Sequence, residues 1–197
     1  GLYGKDKDRG QTYAEMQAAL IQAVRDGCRV VGVFYGHPGV FAQVPHAAIQ
    51  QAREEGFEAW MEPGISADAC LYADMGIDPG AFGCQSFETS QFMFYKRAID
   101  PTAYLILWQL GHAGDLSMTP RQTGPEQRTV LMNMLLEYYA PDHNIAIYES
   151  PFLPTQRPKI DWFPLQELPD ADVSLISTLV VPPGKKLTPN HAIVKQL

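Results

Sequence analysis

The residues best suited by type and spacing to bind and process a small molecule lie where an apolar run breaks. Arg29 to Tyr35 reads Arg-Val-Val-Gly-Val-Phe-Tyr and stops at Gly36-His37-Pro38-Gly39-Val40-Phe41. Open α/β sheets bind ligands at the ends of such strands. Gly36 and Gly39 permit close backbone approach, and Pro38 stiffens the loop against the entropy lost on binding. Alone, the segment reads as readily as a tight structural turn. A second loop, Met61-Glu62-Pro63-Gly64-Ile65-Ser66-Ala67, follows one helix and one strand later, and Ser177-Thr178-Leu179 lies on the last apolar run. Inside the first loop, His37 is better read as positioning backbone than as an acid or base.

Other chemistries are disfavoured. The five histidines, His37, His46, His112, His143 and His191, show no H-x-x-x-H or H-E-x-x-H pairing, and Cys28, Cys70 and Cys84 have no C-x-x-C spacing, so no catalytic metal is expected. Each cysteine lies in or beside an apolar segment, which suggests buried thiols in a reducing, cytoplasmic setting. The formal charge of -7 repels phosphate backbones, so nucleic acid is not an expected partner, and Lys185-Lys186 reads as a solvated loop. Apolar runs such as Ala103–Leu107 and Leu179–Pro183 are far shorter than a bilayer span, so no membrane association is expected. No G-x-G-x-x-G occurs, which argues against a Rossmann fingerprint.

The elements that must position these residues follow from periodicity. Thr12 with Glu15 forms a capping box, and Met16, Leu20, Ile21 and Val24 recur at helical spacing, predicting a helix over Tyr13–Arg25. Arg29–Tyr35 is too continuously apolar for a surface strand and predicts a buried parallel one. Pro45–Glu55 predicts a crossover helix, Phe57–Met61 a second strand and Ala67–Asp74 a helix capped by Ser66. Strands are further expected near Gln85–Glu88, Ala103–Leu110, Asn144–Glu149 and Val173–Val181, with a long helix over Glu126–Tyr139. Prolines mark Thr119–Pro125 and Pro151–Pro164 as loops. With 197 residues and 46% apolar content, the chain can bury a core as an α/β protein of two lobes, 1–95 and 96–197.

The order of the three signatures resembles the tetrapyrrole methylase superfamily. There, a G-x-P-x-x-F loop, matched by Gly36 to Phe41, and a P-G-[IV]-S loop, matched by Pro63 to Ser66, line a pocket for S-adenosylmethionine (SAM). The resemblance implies two α/β lobes with SAM bound between them. It also implies cofactor contacts from Tyr35, Gly36, His37, Pro38, Val40, Phe41, Ser66 and Ala67 in the first lobe, and Gln109, Ala146, Ser177 and Thr178 in the second. Carbonyl oxygens and the aromatic faces of Tyr35 and Phe41 suit a sulfonium cation. The superfamily normally opens with a strand and a glycine-rich loop; none precedes Gly1, so this N-terminal strand is expected to be missing from the sequence.

Within the superfamily, Tyr35 to Phe41, Met61 to Leu71 and Gly76-Ile77-Asp78-Pro79-Gly80 resemble the borosin α-N-methyltransferases over nearly the whole chain. Those enzymes move methyl groups from SAM to backbone amide nitrogens of a ribosomally made precursor peptide. Tyr-x5-Arg-x3-Tyr at Tyr3, Arg9 and Tyr13 matches the family's catalytic tyrosine, arginine and tyrosine. An amide nitrogen is a very poor nucleophile because its lone pair is delocalised into the carbonyl. A tyrosine, with a free pKa of about 10, becomes a usable base beside a guanidinium, which also stabilises negative charge on the amide oxygen. Read from the residues alone, Tyr13 is instead the first core residue of its helix, with Arg9 solvated ahead of it.

The resemblance further implies a homodimer. Because no apolar peptide tail follows the last strand before Leu197, a separate precursor chain is expected. Two alternatives share the fold: a tetrapyrrole or other small-molecule SAM-dependent methyltransferase, and a non-catalytic SAM-binding module.

Overall fold

The computed structural model describes residues 8–115, 122–153 and 155–197, so Tyr3 lies outside the described residues. The chain divides into two compact units, residues 1–70 and 71–197.

Two packed helices organise the first unit. α1 (Arg9–Arg25) begins at Asp8, whose carboxylate accepts the Gln11 backbone N–H at 2.9 Å. An acidic cap satisfies a donor without an intrahelical partner and complements the positive end of the helix dipole. The expected Thr12–Glu15 capping box is thereby corrected. Thr12 is already helical and buried, and its hydroxyl donates back to the Asp8 carbonyl at 3.0 Å. α2 (Gln43–Glu54) turns Val44, Ala48 and Ala52 inward and packs on α1. Gln17 donates to Gln51 at 2.8 Å, and Arg25 Nε donates to Glu55 at 2.8 Å. This last hydrogen bond raises the Arg25 pKa and lowers that of Glu55.

Two expected strands do not form. Arg29–Tyr35 and Phe57–Met61 belong to no ladder among the described residues, and Val31 and Val33 are 79% and 90% exposed instead of buried. A strand is held by hydrogen bonds to its neighbours, and no described residue offers these two runs a matching edge. Cys28 is likewise exposed, against the expectation of a buried thiol.

Further along the chain come α3 (Ala67–Met75), α4 (Pro79–Phe82), β1 (Cys84–Glu88), α5 (Thr89–Phe94), β2 (Tyr104–Trp108), α6 (Pro125–Leu135), β3 (Asn144–Glu149), β4 (Lys159–Pro164), β5 (Thr178–Val181) and α7 (His191–Val194). The strands form a five-stranded sheet in the order β1-β2-β5-β3-β4. β1 and β2 run parallel, with Cys84 opposite Tyr104, and the other pairs are antiparallel, with Leu107 opposite Leu179 and Ala146 opposite Val180. One face buries Leu105, Leu107, Ile145, Ile147, Leu179 and Val181 with Leu131 and Leu135 of α6 and Leu165 and Leu168. The other buries Ile106, Trp108, Ala146, Tyr148 and Val180 with Leu71 of α3 and Ile77. Burial on both faces is why the central strands carry continuous apolar runs, Leu105–Trp108, Ile145–Tyr148 and Leu179–Val181. Each large apolar side chain so buried contributes about 1.5–3 kcal/mol.

Three boundaries move. The compact units meet at residues 70 and 71, whereas the division expected at 95 and 96 would separate β1 from β2, which pair residue for residue. β4 occupies part of the expected proline loop; its six ladder pairs with β3 end at Pro164, on an edge strand, where a missing N–H is tolerated. The run expected as a strand over Val173–Val181 pairs only from Thr178 onward, because residues 174–177 turn. Among the described residues, no helix is long and apolar enough to cross a membrane.

Candidate active site

α1 sets the geometry of the expected catalytic pair. Arg9 and Tyr13 are four residues apart in its first turns, which places them on one face, and both are half-buried. Among the described residues, neither side chain has a hydrogen-bond or ion-pair partner. The earlier helix start matters here: it fixes Arg9 as helical, so its spacing to Tyr13 is a helical repeat and not a loop distance.

The first unit brings the two expected cofactor loops against each other. A Cβ on Gly64 would collide with the Gly36 carbonyl oxygen and lie 3.1 Å from the His37 Cα, so only glycine lets these backbones meet. Gly36 itself has φ +68°, in the left-handed region. His37 Nδ1 accepts the Gly39 N–H at 2.9 Å, and His46 Nε2 donates to the Gly39 carbonyl at 2.9 Å, so one peptide unit after another is pinned by the two imidazoles. His37 therefore positions backbone, and its Nδ1 is unprotonated in that arrangement. His46 carries no motif of its own, and nothing in the sequence points to it.

Around this junction, Tyr35 and Phe41 stand 90% and 55% exposed, Val40 and Ala67 are exposed, and Pro38 and Ser66 are half-buried. Ser66 donates its hydroxyl to Asp68. Phe41 has φ 51°, which costs a bulky residue about 1–2 kcal/mol. Strain of this kind persists where the surroundings impose it, often at binding sites.

Phe41 shares this strain with Gln109, in the second unit, at φ 59° and ψ 44°. Gln109 follows β2 and is exposed. The next residue, Leu110, donates its N–H to the Ser177 carbonyl at 2.9 Å, just ahead of β5. Ser177 is fully buried and Thr178 is 4% exposed. Ala146 is also buried, packed in the sheet face beside Val180 and Tyr148. The structure thus brings Gln109, Ser177 and Thr178 together at one end of the β2–β5 pair, while Ala146 lies two residues into the sheet from that end.

Sequence reasoning missed the group that organises this end. Glu149, last residue of β3, accepts the hydroxyls of Ser177 and Ser174 on one oxygen, at 2.5 and 2.8 Å. Its one sequence signal is a charge closing the apolar run Ile145–Tyr148, and nothing ties it to serines 25 and 28 residues away. A shallow groove of about 440 Å³ lies elsewhere, lined by Asp161, Trp162, Glu167, Asp170 and Asp172 among others, and holds none of the motif residues. Among the described residues, no cluster of histidine, cysteine or carboxylate side chains could hold a metal ion.

Comparison with known proteins places the chain. Residues 2–157 match the tetrapyrrole (corrin/porphyrin) methylases, and the chain belongs to that family. It is 39% identical over 199 residues to a methyltransferase/ribosomally synthesized cyclic peptide gymnopeptides precursor of Gymnopus fusipes, covering 99% of this chain and 47% of that protein. It is 38% identical over 205 residues to a methyltransferase/ribosomally synthesized type I borosin cyclic peptide precursor of Coprinopsis marcescibilis, covering 100% of this chain and 52% of that protein. The chain thus spans about half the length of these curated relatives. Their names join methyltransferase and precursor, so the expected separate precursor chain has no support from them. In fold, the chain resembles the uroporphyrin-III C-methyltransferase of Thermus thermophilus solved with S-adenosylhomocysteine (TM-score 0.58, 16% identity, 89% of this chain and 74% of that one).

Proposed function

We propose that the chain is a SAM-dependent methyltransferase acting repeatedly on backbone amide nitrogens of a ribosomally made peptide. The observation that carries this reading is the 39% identity, over 99% of the chain, to a protein named as methyltransferase and cyclic peptide precursor. Identity to the uroporphyrin enzyme is 16%, which speaks for fold and not for substrate.

The residues fit the cofactor. Gly36 and Gly64 form a backbone junction that a side chain would fill, and Tyr35 and Phe41 offer exposed aromatic faces of the kind that attract a sulfonium. In this reading Tyr35, Gly36, His37, Pro38, Val40, Phe41, Ser66 and Ala67 contact SAM, as do Gln109, Ala146, Ser177 and Thr178. SAM supplies a methyl carbon activated by its sulfonium leaving group. Arg9 holds the negative charge that develops on the amide oxygen, and Tyr13 accepts the N–H proton. The nitrogen pair is then free to form the new N–C bond. Tyr3 joins them on the resemblance alone. The working form is a homodimer.

Incubation of the chain with SAM and apolar peptides, followed by mass measurement, tests the reading. Peptide products heavier by successive methyl groups support it. A porphyrinoid that gains mass while no peptide does would replace it with small-molecule methylation.

A further inference from the structure

The strongest unused group in the second unit is the Glu149 carboxylate, with a side chain only 16% exposed and no role in the proposed proton transfer. A carboxylate accepts hydrogen bonds and donates none, so it dictates the direction of every hydroxyl that meets it. Ser177 and Ser174 both give it their protons, and the Ser177 oxygen keeps a lone pair for the Ser174 backbone N–H, which donates to it at 2.8 Å. The Ser174 hydroxyl accepts in turn from the Ile176 N–H at 3.3 Å. The turn over residues 174–177 is thus closed around one partly buried carboxylate.

The consequence reaches Gln109. With Ser177 fixed, its carbonyl receives the Leu110 N–H at 2.9 Å, which follows directly on the left-handed Gln109. A Cβ on Gly111 would strike the Ser174 carbonyl and lie 2.8 Å from the Leu175 Cα, so the two turns are locked in contact. Strain at Gln109 needs such support, since a left-handed non-glycine residue relaxes once its surroundings loosen. Lys159 approaches Glu149 only to 4.0 Å, and its ammonium is engaged by Asp172 at 2.8 Å. The serine hydroxyls are therefore the carboxylate's main partners.

We propose that Glu149 is a positioning residue for SAM, holding Ser177 and, through the Ser177 carbonyl, the Gln109 turn in the cofactor-binding arrangement. The inference rests on the reading of this protein as a SAM-dependent methyltransferase. Hydrogen bonds to a charged group are among the stronger ones, so their loss is expected to weaken cofactor binding about tenfold.

The test measures S-adenosylhomocysteine affinity by calorimetry on the full chain, with KM for SAM and for the peptide and kcat from methyl transfer. Glu149→Ala raises the S-adenosylhomocysteine Kd and the SAM KM about tenfold while the peptide KM changes little. Glu149→Gln, whose amide oxygen accepts both hydroxyls, restores SAM binding to within about threefold. Ser174→Ala, which removes one donor and keeps the charge, gives a smaller rise, and Lys159→Met leaves the SAM KM unchanged. If Glu149→Ala does not fold, the glutamine and Ser174 variants decide, because any gradation in SAM KM alone requires the hydroxyl network. Equal rises for SAM and peptide, or no rise in a chain that binds cofactor, would overturn the positioning role and leave the methyltransferase reading standing. A wild-type chain that binds no S-adenosylhomocysteine would overturn both.

Discussion

A tyrosine that accepts a proton and a tyrosine that fills space differ by one oxygen, so Tyr13→Phe separates them. In the proposed mechanism it lowers methyl transfer about 10²–10⁴-fold and leaves S-adenosylhomocysteine affinity nearly unchanged, because the ring and its packing stay. Calorimetry and mass measurement on the same preparation check both halves. Gly64→Ala should act the other way, driving a methyl group into the Gly36 carbonyl and parting the two loops. Its expected cost is about 1–3 kcal/mol in stability together with loss of cofactor binding, read by thermal melting and calorimetry. Gln109→Gly is predicted to raise stability by about 1 kcal/mol by relieving the left-handed strain, yet to weaken cofactor binding because the turn becomes loose. At this scale the sequence was informative about motifs and silent about their supports. The glycine-proline loops can be read because only certain residues allow such backbones, whereas His46 belongs to no motif and Glu149 acts through serines 25 and 28 residues away.

Elements were legible where periodicity has a single cause. β1, β2, β3, α2 and α3 fall close to where apolar runs and helical spacing put them, since packing on a core demands that pattern. β4 was hidden by its flanking prolines, and α1 began a turn early because Asp8 caps as well as threonine does. Arg29–Tyr35 forms no strand among the described residues because apolar, β-branched residues specify one only together with a neighbour that completes the ladder. Tyr139, following α6, gives an element-scale prediction. It is buried and stacks on His143 with ring centroids 5.0 Å apart, and among the described residues its hydroxyl has no hydrogen-bond partner. Burial, and then the charge of Asp100, push its pKa up to about 12. Because the folded value lies above the unfolded one of about 10, the neutral ring's contribution is complete below about pH 10 and is lost as pH rises toward about 12. Tyr139→Phe should flatten that alkaline loss in urea melts and, with no buried hydroxyl left unpaired, match or exceed wild-type stability near neutral pH.

At the scale of the whole molecule, the match to the tetrapyrrole methylases assigns the family, while a fold by itself does not name a substrate. The chain's likeness to proteins named for both methyltransferase and cyclic peptide precursor extends from end to end of its own length, and across about half of theirs. If the motif residues hold a cofactor, S-adenosylhomocysteine at about a hundredfold over its Kd stabilises the folded chain by about 2.7 kcal/mol, visible as a raised melting temperature. The most direct test of the central claim is tandem mass spectrometry of an apolar peptide incubated with the chain and SAM. The account predicts a ladder of species differing by single methyl groups, with every added methyl on a backbone nitrogen and the ladder about 10²–10⁴-fold slower to form with Tyr13→Phe. Methyl groups found on side chains, or a porphyrinoid methylated while the peptide stays unchanged, would contradict it.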